Sequence, residues 1–307
     1  MNNKIVVVGS SNTDMIAKLP RIPKPGETIG GGAFSTADGG KGANQAVAAA
    51  RAGAEVGFVA RVGDDSFGEQ AIAGFVGDGI DVQHVTRDPS APSGVALIFV
   101  DDKGENSIAV APGANAGLTP KDVEAAEELI ATADVVVMQL ETPMDTIERA
   151  AVLACKHGGR VILNPAPAQP LSDELLGNVS ILTPNESEAE LLTGVKVEDD
   201  AGAEEAARAL VARGVETVIL TLGSRGAYVF ESGSGEMVSG FKVDAVDTTA
   251  AGDVFNGSLA VGLAEGMPLA GAVRFANAAA ALSVTRLGAQ PSAPTRSEIE
   301  TFLAGSQ

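Results

Sequence analysis

The feature that most constrains this chain is a series of short apolar runs, unbroken by polar residues. "KIVVVGS" comes first, followed by "VGFVARVG", "DVVVMQL", "RVILNPA", "VSILTPN" and "TVILTLG". A strand with one wet face alternates apolar and polar residues, whereas a run apolar at nearly every position suits a strand buried on both faces. Helical patterns separate the runs: "GANQAVAAARAG", "FGEQAIAGFVGDG", "PKDVEAAEELIATA", "TIERAAVLACKHG" and "GAEEAARALVARG". The alternation predicts an α/β fold with a mostly parallel central sheet flanked by helices. The C-terminal part turns helical, with "DVFNGSLAVGLAEG", "LAGAVRFANAAAALSVTR" and "RSEIETFLAG".

Two segments break the alternation. Residues 14–37 are rich in Pro and Gly, and within 93–113 the runs "SGVALIFV" and "NSIAVAPG" flank "DDKGE", a hairpin pattern. Together they predict a small antiparallel β lid. The remainder, 1–13, 38–92 and 114–307, forms one α/β domain. A further hairpin, "AYVFES…GEMVSGF", is expected to extend one edge of the main sheet.

Composition acts mainly by exclusion. A formal charge of −19 argues against nucleic acid as a partner. It does not exclude a small anion, which a few backbone N–H groups can bind locally. Met1-Asn2-Asn3-Lys4 leads directly into an apolar strand pattern rather than a signal peptide, and no apolar run reaches the length of a membrane span. The expectation is a soluble, cytoplasmic protein without a membrane partner. The single cysteine, Cys155, permits no internal disulfide and is expected to be buried in a helix. The two histidines, His84 and His157, stand in no polar cluster, so His-based triads and Cys/His zinc sites are set aside.

Chemistry must then come from carboxylates, lysine, hydroxyls and backbone. In "DTTAAGDVFNG" a helix begins with Ala250, Ala251 and Gly252, followed by Asp253. Small side chains leave the positive N-terminus of the helix open to an anion, and Asp253 beside it can accept a proton. The plainer reading of Asp253 is a helix cap. "GGKGANQA" lacks the pattern of a phosphate-binding P-loop, but its glycines allow close approach of a ligand to Lys41 and Asn44. "VVVGSSNTD" projects Asn12 and Asp14 beyond the carboxyl end of a strand, where α/β folds bind ligands. Glu141, Asn185, Glu188 and the loop "TLGSRG" also follow strands.

Taken together, "GGKGANQA", "TPNESE", "TLGSRG" and "DTTAAGD" resemble the ribokinase branch of the PfkB-type carbohydrate kinases, over essentially the whole chain. The resemblance implies transfer of a phosphoryl group from ATP to a sugar hydroxyl, with D-ribose as acceptor and O5 as the site. It implies Asp253 as base and the backbone of Ala250, Ala251 and Gly252 as anion hole. Asn12, Asp14, Gly40, Lys41, Asn44 and Glu141 would surround the sugar. Asn185, Thr221, Gly223, Ser224, Gly226 and Asn277 would serve the nucleotide, with Glu188 linked to Mg2+. Asp247, Thr249, Ser283, Arg286, Gly288 and Ser292 would surround a monovalent cation such as K+. One carboxylate among hydroxyls and carbonyls suits a weakly hydrated ion, although Asp247 could simply cap its turn. The resemblance also implies a homodimer formed through the lid. The competing expectations are a kinase for deoxyribose, fructose or adenosine, and a non-catalytic ribose-binding regulator.

Overall fold

The computed structural model describes residues 3–306. Met1, Asn2 and Gln307, at the ends of the expected α/β domain, lie outside them. In chain order the elements are β1 (Lys4–Val8), β2 (Asn12–Lys18), β3 (Ala33–Gly39), α1 (Lys41–Arg51), β4 (Glu55–Gly63), α2 (Ser66–Gly77), β5 (Asp81–Asp88), β6 (Gly94–Val100) and β7 (Asn106–Ala111). Then follow α3 (Pro120–Ala125), α4 (Glu127–Ala131), β8 (Val135–Met138), α5 (Met144–Lys156), β9 (Arg160–Leu163), α6 (Asp173–Leu176), β10 (Ile181–Leu182), α7 (Glu186–Thr193) and α8 (Asp200–Val211). The chain closes with β11 (Thr217–Thr221), β12 (Gly226–Glu231), β13 (Ser234–Ser239), α9 (Ala251–Ala264), α10 (Leu269–Ser283) and α11 (Arg296–Gly305).

Nine strands form the central sheet in the order β13-β12-β11-β10-β9-β8-β1-β4-β5. All neighbours are parallel except the terminal β11-β12-β13 meander, the hairpin expected at one edge. The two-residue pleat sorts the apolar runs onto two faces. Ile5, Val7, Val135 and Val137 pack with α1, α9 and α10. Val6, Val8, Val136 and Met138 pack on the other face with α3, α5 and α8. Burial on both faces is the physical reason the runs lack alternation.

The chain runs from β1 to β4 on one side, and β8 later joins β1 on the other. This switch point puts the loops after β1 and β8 side by side at the carboxyl edge of the sheet, the usual ligand crevice of open α/β sheets.

The lid is a four-stranded sheet, β3-β2-β6-β7. It is mixed rather than antiparallel, because β2 and β6 pair in parallel. Both strands leave the same edge of the central sheet heading outward, after β1 and β5, while β3 and β7 return antiparallel to them. β2 and β3 also reach beyond residues 14–37, to the pair Asn12 and Gly39.

Two other local expectations change. The pattern "PKDVEAAEELIATA" yields two short helices, separated where the Ala126 amide turns back to the Val123 carbonyl, one residue tighter than an α-helical bond. Cys155 is exposed rather than buried. The inward face of α5 is taken by Ile147, Ala150, Ala151 and Ala154, which leaves Cys155 outside, its Sγ 3.2 Å from the Asn178 carbonyl.

Candidate active site

Helix α9 begins unusually. Its N-cap is Ala250, in the left-handed region at φ 59°, and no side chain caps it. That conformation costs a non-glycine residue on the order of 1 kcal/mol. The Ala251 amide reaches back to the Thr248 carbonyl at 3.3 Å. Among the described residues, the amides of Gly252 and Asp253 meet no acceptor. A Cβ at Gly252 would touch nothing within 4 Å. Neither backbone strain nor packing accounts for glycine there, which leaves room for a ligand.

Asp253 follows in the first turn but does not cap the helix. Its side chain is buried, and each of its oxygens accepts an amide from α1: Oδ1 from Gln45 Nε2 and Oδ2 from Asn44 Nδ2, both at 2.9 Å. The two helices come this close because residue 257 is glycine; a Cβ there would stand 2.5 Å from the Gln45 carbonyl oxygen. Burial pushes the Asp253 carboxyl above its ordinary range, against the opposing pull of Lys41, Asn44 and Gln45. For Lys41, burial acts to lower the ammonium, but Asp253, Glu141 and Glu188 hold it above its usual value.

The start of α1 is closed by other parts of the chain. Gly40 lies at φ 88°, and a Cβ there would stand 2.7 Å from the Asn12 amide. Glu141 Oε2 accepts from the Lys41 amide at 2.9 Å and from Ser10 Oγ at 2.5 Å. Asn44 keeps its Oδ1 buried without a partner, so it can still accept from a ligand hydroxyl. Asn12 is held by Asn115, whose Nδ2 donates to its Oδ1 at 2.8 Å. The Asp14 carboxyl is raised to about 6 by burial and by the nearby charges of Glu141, Asp253 and Asp38. The expected sugar residues therefore converge between the lid and α9.

A cavity of about 200 Å³ adjoins them, lined by Lys41, Asn185, Glu188, Thr221, Ala250, Ala251, Gly252 and Asp253 among others. It is polar. Asn185 and Glu188 cap α7 reciprocally: Asn185 Oδ1 accepts from the Glu188 amide at 2.8 Å, and Glu188 Oε2 accepts from the Asn185 amide at 2.9 Å. Burial raises the Glu188 carboxyl, while its bond from the Asn185 amide and nearby Lys41 act to lower it.

Other expected nucleotide residues do not line this cavity. Gly223 and Ser224 are exposed on the turn after β11, and Gly226, at φ 104°, starts β12. Asn277 donates to the Val238 and Ser239 carbonyls, tying α10 to β13.

The expected cation residues surround one loop contact. Asp247 Oδ1 accepts from the Thr249 amide and hydroxyl, and its Oδ2 accepts from the Gly288 amide at 2.8 Å. These bonds hold the Asp247 carboxyl below its ordinary range, although burial opposes them. Ser283 and Ser292 are buried and donate to the Ala280 and Ala289 carbonyls. The Arg286 guanidinium turns away to Glu298 at 2.6 Å. Among the described residues, no three His, Cys, Asp or Glu side chains are grouped to hold a metal ion.

Sequence reasoning missed several contributors. Asn164, Ala166, Thr183, Thr248 and Asn256 also line the cavity. Asn164 and Thr183 directly follow β9 and β10, so strand ends were a signal for both. Gln45 and Ser10 act entirely through contacts between distant segments, for which single-sequence patterns carry no signal.

The structure thus combines a mostly parallel α/β sheet, a separate small β sheet and an open helix start beside a buried carboxylate. The chain belongs to the pfkB family of carbohydrate kinases, whose model matches residues 2–296. It is 48% identical to a ribokinase of Haemophilus influenzae over 303 residues, covering 99% of both chains. It is 38% identical to a deoxyribokinase of Salmonella typhi, covering 98% of both. Its fold matches the structure of Arabidopsis thaliana ribokinase complexed with ribose and ATP at a TM-score of 0.92 and 36% identity, covering 99% of both chains.

Proposed function

We propose that this protein transfers the γ-phosphoryl group of ATP to O5 of D-ribose, giving D-ribose 5-phosphate and ADP. The observation that carries this reading is a buried carboxylate, Asp253, set beside an uncapped helix start with open space over Gly252. Asp253 takes the proton of the sugar hydroxyl as oxygen attacks phosphorus and the bond to ADP breaks. The Gly252 and Asp253 amides face the charge that builds on the transferring group. Asn12, Asp14, Lys41, Asn44 and Glu141 hold the other hydroxyls. A pocket this acidic repels an acceptor that already carries phosphate, which favours a free sugar. The similarity to ribokinases along the whole chain supports the same choice.

Magnesium, when bound with ATP, neutralises phosphate charge. Such ions take most of their ligands from phosphate and water, so a site where Glu188 lines the cavity and Asp253 is reserved for the proton fits one. A monovalent cation at the Asp247 loop would stiffen the backbone leading to Ala250. Exchanging potassium for tetramethylammonium at constant ionic strength tests it, and equal kcat in both salts would leave Asp247 a turn cap. The exposed Phe34, Leu97, Ile108 and Val110 on the lid suit burial in a homodimer. Sedimentation of a strictly monomeric protein would remove that reading. No helix among the described residues is long and apolar enough to cross a membrane. A cytoplasmic site fits the need for ATP, and cell fractionation checks it.

Coupled ADP detection on ribose, 2-deoxyribose, fructose and adenosine tests the whole proposal. Ribose should give the highest kcat/KM. Binding of ribose without turnover would identify a regulator instead.

A further inference from the structure

We propose that Gln45 is a positioning residue for Asp253, and that a buried chain of amides running from Gln139 through Gln45 aims the carboxylate. The inference rests on Asp253 being the base. Gln45 and Gln139 are both fully buried. Gln45 Nε2 donates to Asp253 Oδ1 at 2.9 Å and to Asn164 Oδ1 at 3.2 Å, while Gln45 Oε1 accepts from Gln139 Nε2 at 2.7 Å. Asn164 passes the order on, donating from Nδ2 to the Thr183 carbonyl at 3.2 Å.

The chain has one direction. An ionised carboxylate only accepts, so Gln45 must present its amide nitrogen to Asp253. Its oxygen is then turned toward Gln139, which must present nitrogen in its turn. Reversing either amide would set oxygen against oxygen between side chains that are fully buried. Gln139 leaves its own Oε1 buried and unpartnered. A Cβ at Gly9 would stand 2.2 Å from that oxygen, so the side chain sits over a glycine. An unpaired buried acceptor is costly, and it is carried here at the far end of a chain whose near end is the carboxylate.

Asp253 therefore has little freedom to rotate, and its donors favour the ionised form. The charged groups facing it are Lys41 from α1, Asp14 from β2, Glu141 after β8 and Glu188 from α7. Removing the Gln45 donor leaves those charges in place and makes the carboxylate easier to protonate. A base must be ionised to act, so the acid-side fall of kcat should move to higher pH.

The test is Gln45→Met, close in volume and without a donor, measured with ribose and ATP across pH. A loss of about 10–100-fold in kcat is expected, because small misplacements of a reacting group cost that much. The ribose dissociation constant by calorimetry should stay within about 3-fold, and the acid limb of kcat should shift upward. A purely structural role would lower Tm without moving that limb. A folded variant with the wild-type pH profile overturns the proposal. If Gln45→Met does not fold, Gln139→Met, which leaves the donor but frees it to flip, should show a smaller loss with the same shift, and a wild-type profile there overturns the proposal too. Asp253→Asn in the same assay separates the two ideas. Retained activity there defeats the base assignment, whereas an inactive Asp253→Asn with a normal Gln45→Met defeats only the positioning.

Discussion

Helices α7 and α9 both begin at the same cavity, and they begin differently. The first turn of α7 is closed by its own side chains, Asn185 and Glu188, in a reciprocal cap. The first turn of α9 has a left-handed alanine, no cap and a glycine over open space. A helix normally satisfies its leading amides, because leaving them bare has a cost. One start thus stabilises itself, while the other leaves the Gly252 and Asp253 amides without a partner among the described residues, as the proposed anion hole requires. On the proposed function, the polarity of a helix N-terminus becomes a site only where the chain declines to quench it.

The largest effect should come from the open start. Asp253→Asn removes the proton acceptor and should lower kcat by about 10²–10⁴-fold with ribose binding largely kept. A folded variant within a few-fold of wild type would sink its role. Gly252→Val places a branched side chain where a Cβ meets no protein atom. It should leave Tm nearly unchanged but cost about 10²-fold in kcat/KM for ATP, comparable to losing an anion-hole donor. A normal kcat/KM would show that the open space is incidental.

Asp14 lies on the lid side of the same site and extends the contrast to stability. Its carboxyl is raised to about 6 in the folded protein. A group raised on folding contributes stability that is full below its unfolded value and lost as pH rises through about 6. Asp14→Asn should therefore raise Tm by about 2–4 °C at pH 8 and change it little at pH 4. It should also raise the KM for ribose by about 10–100-fold, since a hydrogen bond to a charged group is worth roughly 1.5–3 kcal/mol. In the wild type, the KM for ribose should rise as pH falls below about 6. A KM that is flat across that range would remove the charge of Asp14 from sugar binding.

The smallest effect belongs to the closed start. Asn185→Ala deletes one half of the α7 cap and should cost about 1 kcal/mol, or roughly 1–2 °C in Tm for a chain of this length. An unchanged Tm would mean that the cap adds nothing beyond what packing already supplies.

The central sheet, its edge hairpin and most helices were legible because burial on two faces writes itself into a run of apolar residues. The open start of α9 was legible too, since "TTAAGD" shows small residues ahead of a carboxylate. Local composition also marked the two lid segments, but not the parallel pairing of β2 with β6. That pairing depends on where distant strands leave the central sheet. Cys155 was misplaced because its helix has an outward position that the pattern "AVLACKHG" does not distinguish. The carboxylate's partners were out of reach for a deeper reason. Gln45, Gln139 and Asn164 are ordinary polar residues until the close approach of α1 and α9, over Gly257, brings Gln45 to Asp253. By itself, the sequence determined where anions and hydroxyls could be met, because backbone polarity and residue size are local properties. Only the tertiary structure decided how the Asp253 carboxylate is held, because a buried amide acquires a direction from partners that lie far away along the chain.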